Sequence, residues 1–124
     1  MTNDPHFDRD AFVAMTEGDA EFQRLLAHVF NTDTRKRIDS LRALVAAGDT
    51  KTANRQAHTV KGSAGNICAP RLQELALQLE HTDPAAEPAK ADRLVESLAG
   101  EFDVVRTLLS EYVSAAEVEE DAGT

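Results

Sequence analysis

Apolar residues recur every three or four positions through most of the chain, the spacing with which a helix buries one of its faces. Glycine and proline number only 6 and 4, and tryptophan is missing, which argues against a turn-rich β-sandwich. Four long segments with short connections predict an all-α fold: an antiparallel up-down four-helix bundle with a short additional N-terminal helix. The predicted helices cover 8–16, 20–47, 51–66, 70–81 and 89–116.

The boundaries of these segments hold residues that begin or end helices. Gly48 can end the second helix, Asp19 can cap the N-terminus of the second, and Asp49 or Thr50 can cap that of the third. Pro70 suits the first position of the fourth helix, where its missing N–H is not needed. The polar stretch 31–34 interrupts the periodicity, so a break in the second helix is left open.

A chain of 124 residues has the size of one domain. We expect residues 1–116 to form this domain and the acidic residues 117–124 to form a disordered tail. A helical hairpin that completes its core by dimerising is the alternative. The number of helices and their broad apolar faces favour a monomer.

The overall charge disfavours two classes of partner. The chain has 22 acidic and 13 basic residues, a net charge of −9, which opposes binding to nucleic acid and to anionic membranes. No apolar run approaches the ~18 residues of a membrane-spanning helix, and acidic residues near the start do not fit a signal peptide. The single cysteine, Cys68, cannot form an internal disulfide. We therefore expect a soluble, cytoplasmic protein.

The negative charge is unevenly distributed. Residues 50–73 include no Asp or Glu and four basic residues, so this window carries +4 and the rest of the chain carries −13. A basic segment in an acidic chain is typical of a surface that handles anions, although a solvated helix face has the same composition. His58 lies inside the window and is the candidate for chemistry there.

The predicted third helix places His58 on its polar face. On a helical wheel, Val60 and several alanines lie opposite, whereas the residues within about 60° of His58 are polar, basic or glycine. Two glycines on an exposed helix face need an explanation, because each costs about 1 kcal/mol relative to alanine. They would leave bare backbone beside the imidazole, where a partner could approach; for Gly65 the nearby helix end explains it equally well. The residues on this face are Lys51, Asn54, Arg55, Lys61, Gly62 and Gly65.

An exposed histidine with a lysine one turn away is suited to phosphoryl chemistry. A neutral imidazole is nucleophilic through a ring nitrogen, and Lys61 would stabilise negative charge that arrives on His58. A metal site needs several ligands, and no HxxxH, ExxH or cysteine pair flanks His58. We therefore predict no metal site.

The stretch 57–67 resembles the histidine-containing phosphotransfer (HPt) domains of bacterial phosphorelays. Its sequence is AHTVKGSAGNI, and the similarity extends over about 12–112, with the diagnostic part in 58–66. The pattern continues through Leu72, Leu75, Leu79 and Glu80.

The resemblance implies roles for individual residues. His58 would be the phosphoacceptor, Lys61 would neutralise the phosphoryl group, and Gly62 would leave space beside it. Supporting or partner-docking roles are expected for Asn54, Arg55, Ser63, Gly65 and Glu80.

Two positions depart from the family pattern. Some members have a glutamine in place of Glu80 that hydrogen-bonds the imidazole, and a carboxylate there could orient the ring instead. Many members have a glycine in place of Cys68, so the turn between the third and fourth helices could differ. Cys68 lies off the face of His58, and we expect it to leave phosphotransfer intact.

The resemblance implies a place in two-component signalling. His58 would accept a phosphoryl group from an aspartyl-phosphate receiver domain and pass it to a response-regulator aspartate. The partners would be receiver domains and a hybrid sensor kinase, and the receiver would supply Mg²⁺, so the chain needs no cofactor of its own. It lacks a GxxxxGK[ST] nucleotide loop, so we expect a stoichiometric phosphocarrier without autokinase activity. The alternatives are a phosphorylation-independent helical adaptor and, more distantly, a metal-binding bundle.

Overall fold

The computed structural model describes residues 4–122, and the side chains as far as residue 115. These residues form five helices and no strand, which confirms the predicted all-α fold. The helices are α1 (Arg9–Met15), α2 (Ala20–Ala47), α3 (Thr50–Asn66), α4 (Pro70–Glu80) and α5 (Pro88–Ala122). Within residues 4–122, none is both long and apolar enough to cross a membrane.

Aspartate caps explain where the first three helices begin. The side chains of Asp8, Asp19 and Asp49 each accept a hydrogen bond from the backbone N–H three residues later, which satisfies one of the free donors of the first turn. Gly48 ends α2 with a φ of 68°, in the left-handed conformation that glycine adopts without strain because it has no Cβ atom.

Helix α2 is continuous through 31–34, so the break that the sequence left open does not occur. Thr34 is fully buried in the middle of this stretch, and Arg37 forms an ion pair with Asp33 one turn earlier at 2.8 Å. Local polarity does not end a helix that keeps its packing face and its i,i+4 pairs.

The four long helices form a ring in which α2 and α4 each lie beside both α3 and α5. Helices α3 and α5 are diagonal to each other, and among the described residues no Cα atom of one lies within 8 Å of a Cα atom of the other. Short connections reverse the chain at each corner, as the predicted up-down bundle requires. The centre is filled by fully buried leucine and valine side chains, among them Leu41, Val60, Leu72, Leu98 and Val105.

The N-terminal half of α2 is rotated relative to the sequence prediction. Phe22, Leu25 and Val29 fit the apolar spacing of a buried helix face, but these side chains are 43%, 58% and 52% exposed. A straight helix has one register, and here it is set by the second half of α2, so the three apolar residues point about 120–180° away from the core. The buried positions of α2 are Gln23, Ala27, Phe30, Thr34, Ile38, Leu41 and Val45.

The segment 4–8, which precedes α1, is fixed to the bundle. Phe7 is buried, and its ring centroid lies 5.4 Å from that of Phe12 and 6.1 Å from that of Tyr112. His6 Nδ1 lies 2.7 Å from a carboxylate oxygen of the buried Glu101 on α5. Aromatic burial and this polar contact therefore attach the segment to the bundle. Its backbone is also hydrogen-bonded to Cys68 and Arg71 at the α3–α4 turn.

Helix α5 extends to Ala122, beyond the predicted end near 116. Residues 116–122 combine alanine, glutamate, valine and aspartate, and no glycine or proline occurs before Gly123. Alanine and glutamate have high helix propensity, so acidic charge does not end the helix. The last two residues, 123 and 124, lie outside the described part, and the separation of 117–124 as a disordered tail stays a prediction.

Candidate functional site

Helix α3 presents His58 on its outer face. The side chain of His58 is 64% exposed, while Ala53, Ala57, Val60 and Ala64 are buried on the opposite side of the helix. These small side chains allow α3 to pack closely on its neighbours, which holds the outer face in one orientation. The imidazole is thus presented to solvent from a rigid base.

Glu80, the last residue of α4, contacts two of the predicted site residues. Its Oε1 lies 2.6 Å from Nδ1 of His58, and its Oε2 accepts a hydrogen bond from Nζ of Lys61 at 2.7 Å. The side chains of Glu80 and Lys61 are only 18% and 26% exposed. The structure therefore brings His58, Lys61 and Glu80 together, as the resemblance implies for the first two and suggests for the third.

The hydrogen bond from Lys61 lowers the pKa of the Glu80 carboxyl below its ordinary value, against the rise that burial would cause, and the bond to His58 lowers it further. Glu80 is therefore ionised at neutral pH. An ionised carboxylate can only accept hydrogen bonds, so a neutral His58 carries its proton on Nδ1. This assignment leaves the lone pair of Nε2 free on the solvent side.

The two glycines of α3 have different surroundings. A Cβ atom built at Gly62 meets no heavy atom of the described residues within 4 Å, so Gly62 leaves open space one turn beyond His58. A Cβ atom built at Gly65 would lie 2.9 Å from Nε2 of Gln73 on α4. Gly65 thus accommodates a side chain of the neighbouring helix, whereas Gly62 keeps a surface clear.

The remaining predicted residues surround this centre less directly. Arg55 is exposed beside His58, while Ser63 and Asn54 are half-buried. The side-chain oxygen of Asn54 is buried and has no hydrogen-bond partner among the described residues. None of these three is in the group joined by Glu80.

Cys68 lies at the α3–α4 turn and not in the site. Its φ of 61° is in the left-handed region that favours glycine, the residue that the family pattern has at this position. Burial raises the pKa of its thiol, and the charge of Asp8 raises it further. The thiol is consequently less reactive than an ordinary one, in agreement with its absence from the predicted chemistry.

An exposed apolar stripe, formed by Phe22, Leu25 and Val29, is the feature of this surface that sequence reasoning missed. Arg37, farther along α2, donates a hydrogen bond to Gln56 and so marks the flank of α2 that faces α3. Phe22 and Val29 lie about 60–80° from Arg37 on the wheel, on the same flank. Because α2 and α3 are antiparallel, Val29 lies near the level of Ala64, two residues past Gly62. The stripe could have been found by extending the helical spacing of the buried residues Ile38, Leu41 and Val45 back through the first half of α2. That spacing leaves the stripe outside the buried face.

Comparison with known proteins gives a match over most of the chain. The sequence model of the Hpt domain matches residues 25–116. The crystal structure of histidine-containing phosphotransfer protein B (HptB) from Pseudomonas aeruginosa PAO1 is similar, with a TM-score of 0.82 and 29% sequence identity over 90% of this chain and 96% of that chain. None of the curated protein sequences compared with the chain matches it significantly.

The family match spans α3, α4 and nearly all of α2, so it includes His58, Lys61, Gly62 and Glu80. The match to a solved structure extends the similarity to the arrangement of the helices. The chain therefore belongs to the Hpt domain family, the histidine phosphotransfer proteins of phosphorelays.

Proposed function

We propose that His58 accepts a phosphoryl group from the aspartyl phosphate of a receiver domain, in a hybrid sensor kinase, and passes it to the aspartate of a response regulator. One observation carries this proposal: Glu80 contacts Nδ1 of His58 at 2.6 Å, so Nε2 is the ring nitrogen left for phosphorylation on an exposed face that Gly62 keeps open one turn away.

The reaction follows from this protonation state. The lone pair of Nε2 attacks the phosphorus atom in line with the acyl oxygen, the N–P bond forms, and the P–O bond breaks with its electrons on the aspartate carboxylate. The proton stays on Nδ1, where it is hydrogen-bonded to the carboxylate of Glu80. The reverse sequence returns the phosphoryl group to an aspartate, so that the chain acts as a carrier in either direction.

Charge supports an acidic partner. Lys51 and Arg55 are exposed on the same outer face of α3 as His58, within the acid-free window 50–73. An aspartate-containing receiver pocket has the opposite charge, and complementary charge speeds encounter and fixes orientation. The rest of the chain, at −13, repels such a pocket and so favours contact at this face.

The apolar stripe supplies a second area of contact for the receiver. Phe22 and Val29 are exposed and lie on the flank of α2 next to α3, so a protein that covers Gly62 also reaches this part of the stripe. Burying these side chains contributes about 25 cal/mol for each Å² of apolar surface removed from water. We propose that affinity resides largely in the stripe and chemistry in His58.

The chain should act as a cytoplasmic, monomeric phosphocarrier. Its sequence contains no GxxxxGK[ST] nucleotide loop, so we expect it to acquire phosphate from a receiver and not from ATP.

The test is transfer from a phosphorylated receiver domain. Wild-type protein should acquire acid-labile, base-stable phosphate, and His58→Gln should acquire none. His28→Gln is the matched control, because His28 is also exposed but lies on α2, and it should label like wild type. Equal labelling of wild type and His58→Gln contradicts the proposal. Receiver binding without labelling of any variant favours the adaptor alternative.

Docking is tested separately by Val29→Glu. This change should raise the receiver concentration needed for half-maximal transfer while leaving the maximal rate near that of wild type. Val104→Glu is the control, since Val104 is also an exposed apolar residue but lies on α5, diagonal to α3. Equal effects of the two variants would show that the stripe is not the docking surface.

A further inference from the structure

The carboxylate of Glu80 contacts both His58, which would carry the phosphoryl group, and Lys61, which would neutralise it. Oε1 of Glu80 holds Nδ1 of His58, and Oε2 holds Nζ of Lys61. The family resemblance gives Lys61 the task of neutralising the phosphoryl group, yet in this structure its charge is already paired with Glu80. The phosphoryl group and Glu80 therefore compete for the charge of Lys61.

We propose that Glu80 sets the transfer potential of the phosphoryl group: by keeping the proton on Nδ1 of His58 and by competing for Lys61, it destabilises the phosphorylated chain relative to a receiver aspartyl phosphate. Glu80 is a positioning residue in this inference, which rests on the proposed function of His58. Its effect is on the equilibrium between the two proteins as well as on the rate.

The first reason is the proton on the ring. When a receiver aspartate attacks the phosphorus atom, the N–P bond breaks and its electrons return to Nε2. If Nδ1 carries a proton, the leaving group is a neutral imidazole; if it does not, the leaving group is an imidazolate. The carboxylate of Glu80 can only accept, so it favours the protonated ring. A glutamine at this position could also donate its N–H to a bare Nδ1, which would stabilise the less reactive form.

The second reason is charge. With Nδ1 protonated, the phosphorylated ring carries one positive charge and the phosphoryl group two negative ones, so the modified side chain is net negative and its phosphoryl group repels the carboxylate of Glu80. Lys61 can relieve the repulsion only by weakening its 2.7 Å contact with Glu80. The contact is partly sheltered from solvent, which limits screening by salt. The other basic or titratable side chains nearby are exposed to solvent: Lys51 and Arg55 on the same face, and His81 directly after Glu80.

Both reasons predict the same direction for Glu80→Gln. The variant should shift the equilibrium with a phosphorylated receiver toward phosphohistidine by about tenfold, which corresponds to about 1.4 kcal/mol. The pH above which transfer to the receiver slows should be lower than in wild type, because the neutral amide of the variant no longer favours the proton on Nδ1. Lys61→Met should shift the equilibrium the opposite way, toward the phosphorylated receiver.

The matched control is Glu74→Gln, which makes the same chemical change on α4 where the side chain contacts Gln78 and not His58. Its equilibrium and pH profile should equal those of wild type. If Glu80→Gln slows transfer equally in both directions and leaves the equilibrium unchanged, Glu80 only orients the ring and the inference is overturned. A shift of the equilibrium toward the receiver overturns it as well.

A measurement without the receiver separates this inference from the proposed function. Phosphoramidate can phosphorylate histidine directly, and the lifetime of phosphohistidine in Glu80→Gln should exceed that in wild type by several-fold at neutral pH. Equal lifetimes overturn the inference about Glu80. If phosphoramidate labels His58 but no receiver exchanges phosphate with it, the proposed function fails while the inference about Glu80 is still decided by the lifetimes.

Discussion

Replacing Gly62 should make the protein more stable and less active at the same time. Glycine in a helix interior costs about 1 kcal/mol relative to alanine, and a Cβ atom at Gly62 meets no described atom within 4 Å that would offset the gain. Gly62→Ala should therefore raise the free energy of unfolding by about 1 kcal/mol. For a chain of this length, such a gain corresponds to roughly 4 °C in Tm.

Activity should fall with the size of the new side chain. A group that displaces the reacting atoms by about 1 Å can slow a positioned reaction by about 100-fold. We expect Gly62→Ala to reduce transfer modestly and Gly62→Leu to reduce it by about 100-fold or more. Both variants should keep the helical circular dichroism of wild type, since a Cβ at Gly62 points into open space and the core is untouched.

Gly100 provides the matched control. It is also exposed within a helix, with no described atom within 4 Å of a built Cβ, but it lies on α5, diagonal to α3. Gly100→Ala should give the same increase in Tm, by thermal denaturation, and unchanged transfer from a phosphorylated receiver. If Gly62→Leu transfers as fast as wild type, the space beside His58 has no role. If Gly62→Ala is destabilising, the reasoning about the open helix face is wrong.

Two further predictions concern stability. Cys68→Gly should stabilise the fold by up to about 1 kcal/mol, because a left-handed residue other than glycine costs about 1–2 kcal/mol and the entropy of glycine offsets about half of that; a loss of stability in urea denaturation would show that the thiol packing matters more. The pKa of Asp83 is lowered, chiefly by the hydrogen bond from the hydroxyl of Thr50 and then by the backbone N–H of Ala85. Its folded pKa lies below its unfolded one, so its stabilisation is present above about pH 4 and is lost as the pH falls through the folded value. Asp83→Asn should therefore be less stable than wild type at pH 7, with a difference that shrinks on acidification; a difference independent of pH would contradict this linkage.

Local signals in the sequence were sufficient for the helices and for the exposed position of His58. Caps such as Asp19 and Asp49 and the left-handed Gly48 are short-range features, so they fix the start and end of helices without knowledge of the fold. The solvent-facing position of His58 follows from the alanines on the opposite side of α3. Lys61 and Gly62 are within about one turn of His58 and were found by the same periodicity.

Features that depend on contacts between distant segments were not predictable in the same way. Glu80 is 22 residues from His58, and only the family resemblance suggested their contact. The exposure of Phe22 and Leu25 depends on the register of the whole of α2, which is decided by packing against other helices of the bundle. The fixation of His6 required knowledge of where Glu101 lies.

The attachment of residues 4–8 has a consequence for the order of folding. His6 and Glu101 are 95 residues apart in sequence, whereas α3 packs on α2 and on α4, its two neighbours in the chain. Closing so long a loop costs more entropy than closing a helical hairpin, so this contact is expected to form late. By the same reasoning, segment 4–8 is a unit that can open while the bundle stays folded. Native-state hydrogen exchange at the amides of Asp8 and Arg71, which are hydrogen-bonded across this junction, would then report local opening and not global unfolding.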